Sequence, residues 1–321
     1  METPLRFVPF LRPMVWGGRR LADALGKPLP TAEPYGESWE VSDHRLHRSA
    51  VASGPLAGRT LRQLMETGRR ALLGPAAGAH ETFPWLIKFL DADDWLSVQV
   101  HPDERAVRWL WPGEGSKTEA WFVLDAAPGS RIYAGLLPEV SPARLLAAVK
   151  AGTVTECLHS FEPRPGDCLF LQTGTVHAVG GGVLMAEVQQ TSDATYRLFD
   201  WNRRDAQGKS RELHVAESLA CIDWQRGPVA PVRAADFGSR RRARQALVSC
   251  PFFALEHVQE ARPFTLGGSG KLQAAVVLAG RGCWTGGEEL HTGQTWVLSA
   301  ALPPVECRPD GWLSLLLATL P

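Results

Sequence analysis

The chain has 321 residues, 45% hydrophobic and 21% charged, a soluble globular balance with room for two ordinary domains. Lysine plus arginine and aspartate plus glutamate stand at 34 each, which argues against nucleic acid as a main partner and leaves a small charged metabolite. No apolar run approaches the roughly 20 residues of a membrane span, and Arg6, Pro9, Arg12 and Pro13 interrupt any export-leader pattern, so a cytoplasmic protein with no membrane partner is expected.

In chain order, residues 60–73 place Leu61, Leu64, Met65, Leu72 and Leu73 at a helical period. Short strands are expected at 96–100 and 120–124. Ser141 ahead of Pro142 reads as a helix cap with proline in the first turn, opening a helix to about Ala151 that Gly152 ends. Strands at 168–171 and 183–189 follow, with Gly180, Gly181 and Gly182 read as a hairpin turn rather than a nucleotide loop. A third helix is expected at 213–222. Residues 227–245, with Pro228, Pro231, Arg240, Arg241, Arg242 and Arg244, read as a solvated surface connection. Strands at 273–278 and 294–298 complete the pattern. Many short strands and few helices predict a mainly β protein, a sandwich or barrel. Cys157, Cys168, Cys221, Cys250, Cys283 and Cys307 form no CxxC pair, which predicts free thiols in a reducing compartment.

On a strand, Ser97, Gln99 and His101 share one polar face while Val98 and Val100 share the other. A polar face of this kind meets solvent or lines a site. Lys117 and Glu119 are also two apart, a spacing equally suited to a surface ion pair. A turn at 165–167 feeds an apolar strand, and a second turn at Gly174 delivers His177. Taken alone, such a histidine is more often structural than a ligand. Arg197 alone is equally explained by pairing with Asp193 or Asp200. Trp16, Trp39, Trp85, Trp95 and Trp121 are read as core, with sugar stacking the lesser alternative. His44 and His47 are expected at the surface.

The spacing of Gly166-Asp167, an apolar strand, Gly174 and His177 resembles the second motif of the cupin barrel. Seven segments then resemble, in order, the type I mannose-6-phosphate isomerases, especially their short bacterial form. They are Trp16-Gly17-Gly18, Gly36-Glu37-Ser38-Trp39-Glu40, Ser97-Val98-Gln99-Val100-His101-Pro102, Lys117-Thr118-Glu119-Ala120-Trp121, residues 165–178, Ala186-Glu187-Val188-Gln189-Gln190 and Ser192-Asp193-Ala194-Thr195-Tyr196-Arg197.

This resemblance implies two cupin (jelly-roll) β-barrels with a few decorating helices. Residues 1–230 would be the catalytic metal-binding domain with helical insertions, and 231–321 a degenerate barrel. Laying Gly293 onto Gly166 puts Pro304 where His177 stands, so the second barrel is expected to hold no metal. The resemblance also implies one zinc ion per chain on Gln99, His101, Glu119 and His177, since zinc accepts imidazole nitrogen and carboxylate oxygen and keeps a catalytic position open. Catalytic roles are implied for Arg197, Lys117 and Glu187, and substrate contacts for Ser97, Lys117 and Arg197. The implied reaction interconverts mannose 6-phosphate and fructose 6-phosphate through a cis-enediol, in a monomer or weak homodimer. Glu187, Lys117, a histidine and zinc-bound water all stand as possible bases. The family usually has proline where this chain has Gln172, so a less rigid turn before His177 is expected, with no ligand lost. Rival readings are a cupin isomerase of another sugar phosphate such as glucose 6-phosphate, an iron oxygenase and a non-catalytic sugar-binding cupin. Lys117 and Arg197 favour the isomerase over the oxygenase.

Overall fold

The computed structural model describes residues 1–204 and 208–321. A seven-stranded sheet runs in the order Val232–Arg233, Asp167–Leu171, Glu119–Ala126, Val183–Gln190, Trp85–Ala92, Tyr35–Val41 and Phe10–Gly18. A five-stranded sheet runs Leu158–Phe161, Ile132–Leu136, His177–Val179, Val98–Val100 and Tyr196–Phe199. Alternation along these antiparallel strands decides what each face meets. Trp121, Val123, Leu169, Leu171 and Met185 from the first sheet meet Ile132, Ala134 and Val179 from the second, closing a barrel around a shared core.

The outer faces are apolar as well. Val98, Val100 and Leu198 pack beneath the helices Pro142–Ala151 and Val215–Cys221, with Leu145 and Val149 among the contacts. Ile87, Phe89, Phe122, Ala186 and Val188 lie in one cluster with Ala274, Val276, Leu316 and Ala318 of a third, eight-stranded sheet. Trp85–Ala92 and Val183–Gln190 are therefore covered on both faces, which explains their near-continuous burial. Within the third sheet, the long strands Gln273–Trp284 and Val305–Thr319 pair through two register shifts. The sheet encloses a second core of Val258, Val277, Trp284, Trp296, Leu313 and Leu315. This is the mainly β, two-barrel cupin class that the sequence predicts.

Local chemistry sets the helices. Thr60 and Gln63 form a reciprocal capping box at the start of Leu61–Leu73. Ser141 caps Pro142–Ala151, and Gly152 ends it in the left-handed conformation. The helix expected at 213–222 is the shorter Val215–Cys221. Glu104–Leu110 is an additional helix, capped by Asp103; it buries Val107 alone and so shows no apolar period.

Gly180–Gly182 is not a hairpin turn, because the strands it joins belong to different sheets: His177–Val179 to the five-stranded one, Val183–Gln190 to the seven-stranded one. Gly180 passes so close to the neighbouring chain that a Cβ there would lie 2.7 Å from the Arg131 carbonyl oxygen. The 227–245 connection is partly ordered into sheet. Val232–Arg233 pairs with Asp167 and Cys168, and Ala243 begins the strand Ala243–Ser249. In the other direction, Leu5–Arg6 pairs with Val297 and Trp296 in the eight-stranded sheet. All six cysteines are free, and no helix among the described residues is long and apolar enough to cross a membrane.

Candidate active site

The alternation that buries Val98 and Val100 beneath the helices turns Gln99 toward the barrel interior. His177 and Arg197 are the register partners of Gln99 on its two neighbouring strands. From the facing sheet, Glu119 shares the inward side of its strand with Trp121 and Val123, and Glu187 shares that of Met185 and Val183. Two sheets thus aim complementary polar groups at one end of the barrel.

His101, Glu119 and His177 are buried, and one potential ligand atom from each lies within 4.8 Å of the others. Glu119 Oε2 is 3.3 Å from His101 Nε2, and Glu119 Oε1 is 3.4 Å from His177 Nε2. Each imidazole is oriented by a backbone carbonyl: His101 Nδ1 lies 2.8 Å from the oxygen of Ala194, and His177 Nδ1 lies 2.9 Å from that of Thr175. A proton on Nδ1 leaves the Nε2 lone pair of each ring free to bind a cation. Neither Glu119 oxygen receives a well-directed hydrogen bond, although Lys117 Nζ lies 2.9 Å from Oε2 as an ion-pair partner. Two nitrogen lone pairs and an under-satisfied buried carboxylate are a donor set suited to a divalent metal. Among the described residues no other group of three such side chains converges in this way.

Gln99 adjoins the triad, its Nε2 lying 3.2 Å from His177 Nε2. Ser97 Oγ donates to Gln99 Oε1 at 3.3 Å. Lys117 is a buried cation, not a surface partner: besides Glu119, it approaches His101 Nε2 at 3.2 Å and Glu187 at 4.0 Å. Glu187 Oε1 accepts from Trp121 Nε1 at 3.0 Å. Arg197 donates to the carbonyl of Glu212 at 2.7 Å, while its Nε is unpartnered. It forms no ion pair with Asp193 or Asp200 among the described residues. Asp200 is held by Arg211, and Asp193 lies 3.6 Å from Arg12.

Burial dominates the electrostatics. It pushes His177 down to about 4 and His101 well below its usual value, so both rings are neutral at pH 7. For Glu119, burial acts upward but Lys117 and His177 outweigh it and hold the carboxyl low. Burial, then the Glu119 charge, raises Glu187. For Lys117, burial is outweighed by Glu119 and Glu187, which keep it protonated.

Ser97, Gln99, Lys117, Glu187 and Arg197 all line one cavity of about 240 Å³. Arg12, Glu37, Lys88, Asp193, Arg211 and His214 line it too, and sequence reasoning assigned them no site role. Lys88 had a readable signal, a lysine inside the otherwise apolar run Trp85–Leu90; it lies 3.6 Å from Glu187 and 3.9 Å from Glu37. Trp16 and Trp121 are buried and still reach the cavity wall, whereas Trp39 and Trp85 are fully buried. His44 is not at the surface: it is buried, with Nε2 3.1 Å from the Glu114 carboxylate. His47 is half-buried, stacked on Phe10. Gln172 is held by Arg226.

A family profile described as the catalytic domain of type I phosphomannose isomerase matches residues 5–117. The chain is 36% identical over 297 residues to a mannose-6-phosphate isomerase of Streptococcus mutans, covering 91% of this chain and 90% of the relative. It is 40% identical over 220 residues to the mannose-6-phosphate isomerase ManA of Bacillus subtilis, covering 68% of each. A crystal structure of the mannose 6-phosphate isomerase from Bacillus subtilis superposes with a TM-score of 0.86 at 27% identity over 99% of both chains. Fold, buried triad and near full-length similarity agree, and the chain belongs to the type I mannose-6-phosphate isomerase family.

Proposed function

We propose that the protein is a zinc-dependent aldose–ketose isomerase that interconverts mannose 6-phosphate and fructose 6-phosphate through a cis-enediol. The observation that carries this reading is the buried His101–Glu119–His177 triad, which adjoins Gln99 and Lys117, two of the residues that line a cavity with Glu187 and Arg197. His101, Glu119 and His177 would hold one zinc ion per chain, with Gln99 as a fourth ligand once its amide is flipped to present Oε1 in place of the Nε2 that faces His177. Bound there, zinc supplies Lewis-acid polarisation of the substrate's adjacent carbonyl and hydroxyl oxygens.

The remaining chemistry falls to the chain's own groups. A base must take the proton from C2 of the aldose and return one to C1. Lys117 is held as an ammonium by two carboxylates and is unsuited to that role. The histidine Nε2 lone pairs face Glu119. Among the side chains Glu187 is left as the base, oriented by Trp121 and facing the same cavity. Lys117 and Arg197 balance the negative charge that develops on the enediolate, and Ser97 contacts the sugar. The cation-rich wall formed by Arg12, Lys88, Arg197 and Arg211 suits a phosphorylated substrate.

On this reading the chemistry lies within residues 1–230, and 231–321 form a supporting barrel without metal. The protein works in the cytoplasm as a monomer or weak homodimer. A coupled assay with mannose 6-phosphate, before and after chelation and with zinc restored, is expected to show turnover that chelation abolishes and zinc returns. No turnover in zinc-replete protein would sink the proposal, and turnover with glucose 6-phosphate in its place would favour the rival isomerase.

A further inference from the structure

Glu114 takes no part in the proposed chemistry, yet its buried carboxylate gathers donors from two other segments of the chain. Arg45 donates from Nε at 3.0 Å and Nη2 at 2.8 Å, and His44 Nε2 lies at 3.1 Å. The backbone N–H of Asp193 donates at 3.2 Å, and Ser192 Oγ, whose proton points to the Gly115 carbonyl, lies 3.4 Å away. Burial opposes the charge, but the bonds from His44, Arg45 and Asp193 outweigh it and hold the carboxyl at about 2.

We propose that Glu114 is a positioning residue for His101, acting through the turn at Ser192, Asp193 and Ala194. The inference rests on reading His101 as a metal ligand. The Ala194 carbonyl is the acceptor that orients the His101 ring, at 2.8 Å. This turn lies between the strands Val183–Gln190 and Tyr196–Phe199, outside any sheet ladder, so side-chain bonds fix it. Gln189 Nε2 donates to the Ser192 carbonyl at 2.6 Å and anchors the entry. Ser192 Oγ donates to the Gly115 carbonyl at 2.7 Å and accepts from the Ala194 N–H at 3.1 Å. Glu114 anchors the middle by taking the Asp193 N–H. The same bond sets where the Asp193 carboxylate stands, 3.6 Å from Arg12 on the cavity wall. One carboxylate thus ties the His44–Arg45 segment, the 112–118 loop and the turn that aims a ligand ring. Groups that orient metal-bound histidines commonly change metal affinity about 10- to 100-fold when altered.

The test is zinc affinity of dialysed protein, measured by competition with a chromophoric chelator. Glu114→Gln keeps the shape and removes the charge; it is expected to bind zinc at least about tenfold more weakly, with an unchanged circular dichroism spectrum. Arg62→Ala is the control, because it removes the 3.0 Å ion pair to Asp43, next to the same His44–Arg45 segment, without touching the turn. Its zinc affinity is expected to stay within about twofold of wild type. Wild-type affinity in Glu114→Gln overturns the inference, and so does an equal loss in Arg62→Ala, which would make Glu114 a general stabiliser. Wild-type protein that binds no zinc overturns the ligand reading and this inference together. Should Glu114→Gln not fold, Ser192→Ala cuts another of the turn's anchors; it is expected to show the same loss, and wild-type affinity there overturns the inference.

Discussion

Glu187 and Arg197 face one cavity from opposite sheets, and on the proposed reading they divide the work of moving a proton and holding the charge it leaves behind. Glu187→Gln removes the ability to take a proton while keeping an acceptor for Trp121 Nε1. It is expected to lower kcat by about 10²- to 10⁴-fold with zinc stoichiometry intact; a rate near wild type would move the base elsewhere. Arg197→Ala should also retain the metal while the rate collapses, since its guanidinium touches no triad member. An unchanged rate in that variant would remove Arg197 from the mechanism. Strand alternation put Ser97, Gln99 and His101 on one polar face, but the triad was legible only through the family resemblance, because Glu119 and His177 each had a structural reading of their own. Burial itself was not legible at Lys117 and Glu119, whose spacing fits an exposed pair as well as a buried one. Glu37, Asp193 and Arg12 were missed as site groups because they meet only in the folded chain: Arg12 is the register partner of Glu37, and the turn at Asp193, far along the chain, comes within 3.6 Å of Arg12.

The turn that delivers His177 carries a backbone demand that sequence shows as a single glycine. Gly174 has φ +81°, and a Cβ there would lie 2.9 Å from the Asp223 backbone nitrogen. Its own N–H donates to the His101 carbonyl at 2.9 Å, so the turn is tied to both histidine-bearing segments. Gly174→Ala is expected to cost about 1–3 kcal/mol in denaturant unfolding and to weaken zinc binding as well. A variant matching wild type in both would show that the turn relaxes freely. At Gln172, where the family resemblance would put a proline, Arg226 contacts the side chain. Helices with strong caps, Leu61–Leu73 and Pro142–Ala151, were readable to within a residue because capping is local. Glu104–Leu110 was not, since it lies on the surface and buries a single side chain. The Gly180–Gly182 segment misled for the opposite reason: glycines mark a change of direction without saying which sheet the next strand joins.

Between the two barrels, the apolar faces of the seven- and eight-stranded sheets form one continuous cluster, with the imidazole of His257 beside it. His257 is fully buried, stacked near Phe122 and edge-on to Phe237. Its Nε2 lies 2.9 Å from Ser314 Oγ, and its Nδ1 has no hydrogen-bond partner. Burial lowers its pKa from 6.5, with Asp236 opposing weakly. The folded state therefore prefers the neutral ring, whereas the unfolded chain takes up a proton near pH 6.5. The contribution is fully present above that pH and is lost as the pH falls below it, until the folded ring itself protonates. His47 and His80 are shifted in the same direction, so the difference between wild type and a variant isolates His257. His257→Gln keeps a partner for Ser314 and cannot titrate. Between pH 6.5 and 5, wild-type unfolding free energy is expected to fall more steeply than the variant's, by at most about 1.4 kcal/mol per pH unit. Parallel curves from denaturant titrations would mean that the barrel interface opens to water around His257 without unfolding. A steeper wild-type curve would locate acid sensitivity at the packing between barrels, away from the metal-binding end, and would make the second barrel's support of the first measurable in solution.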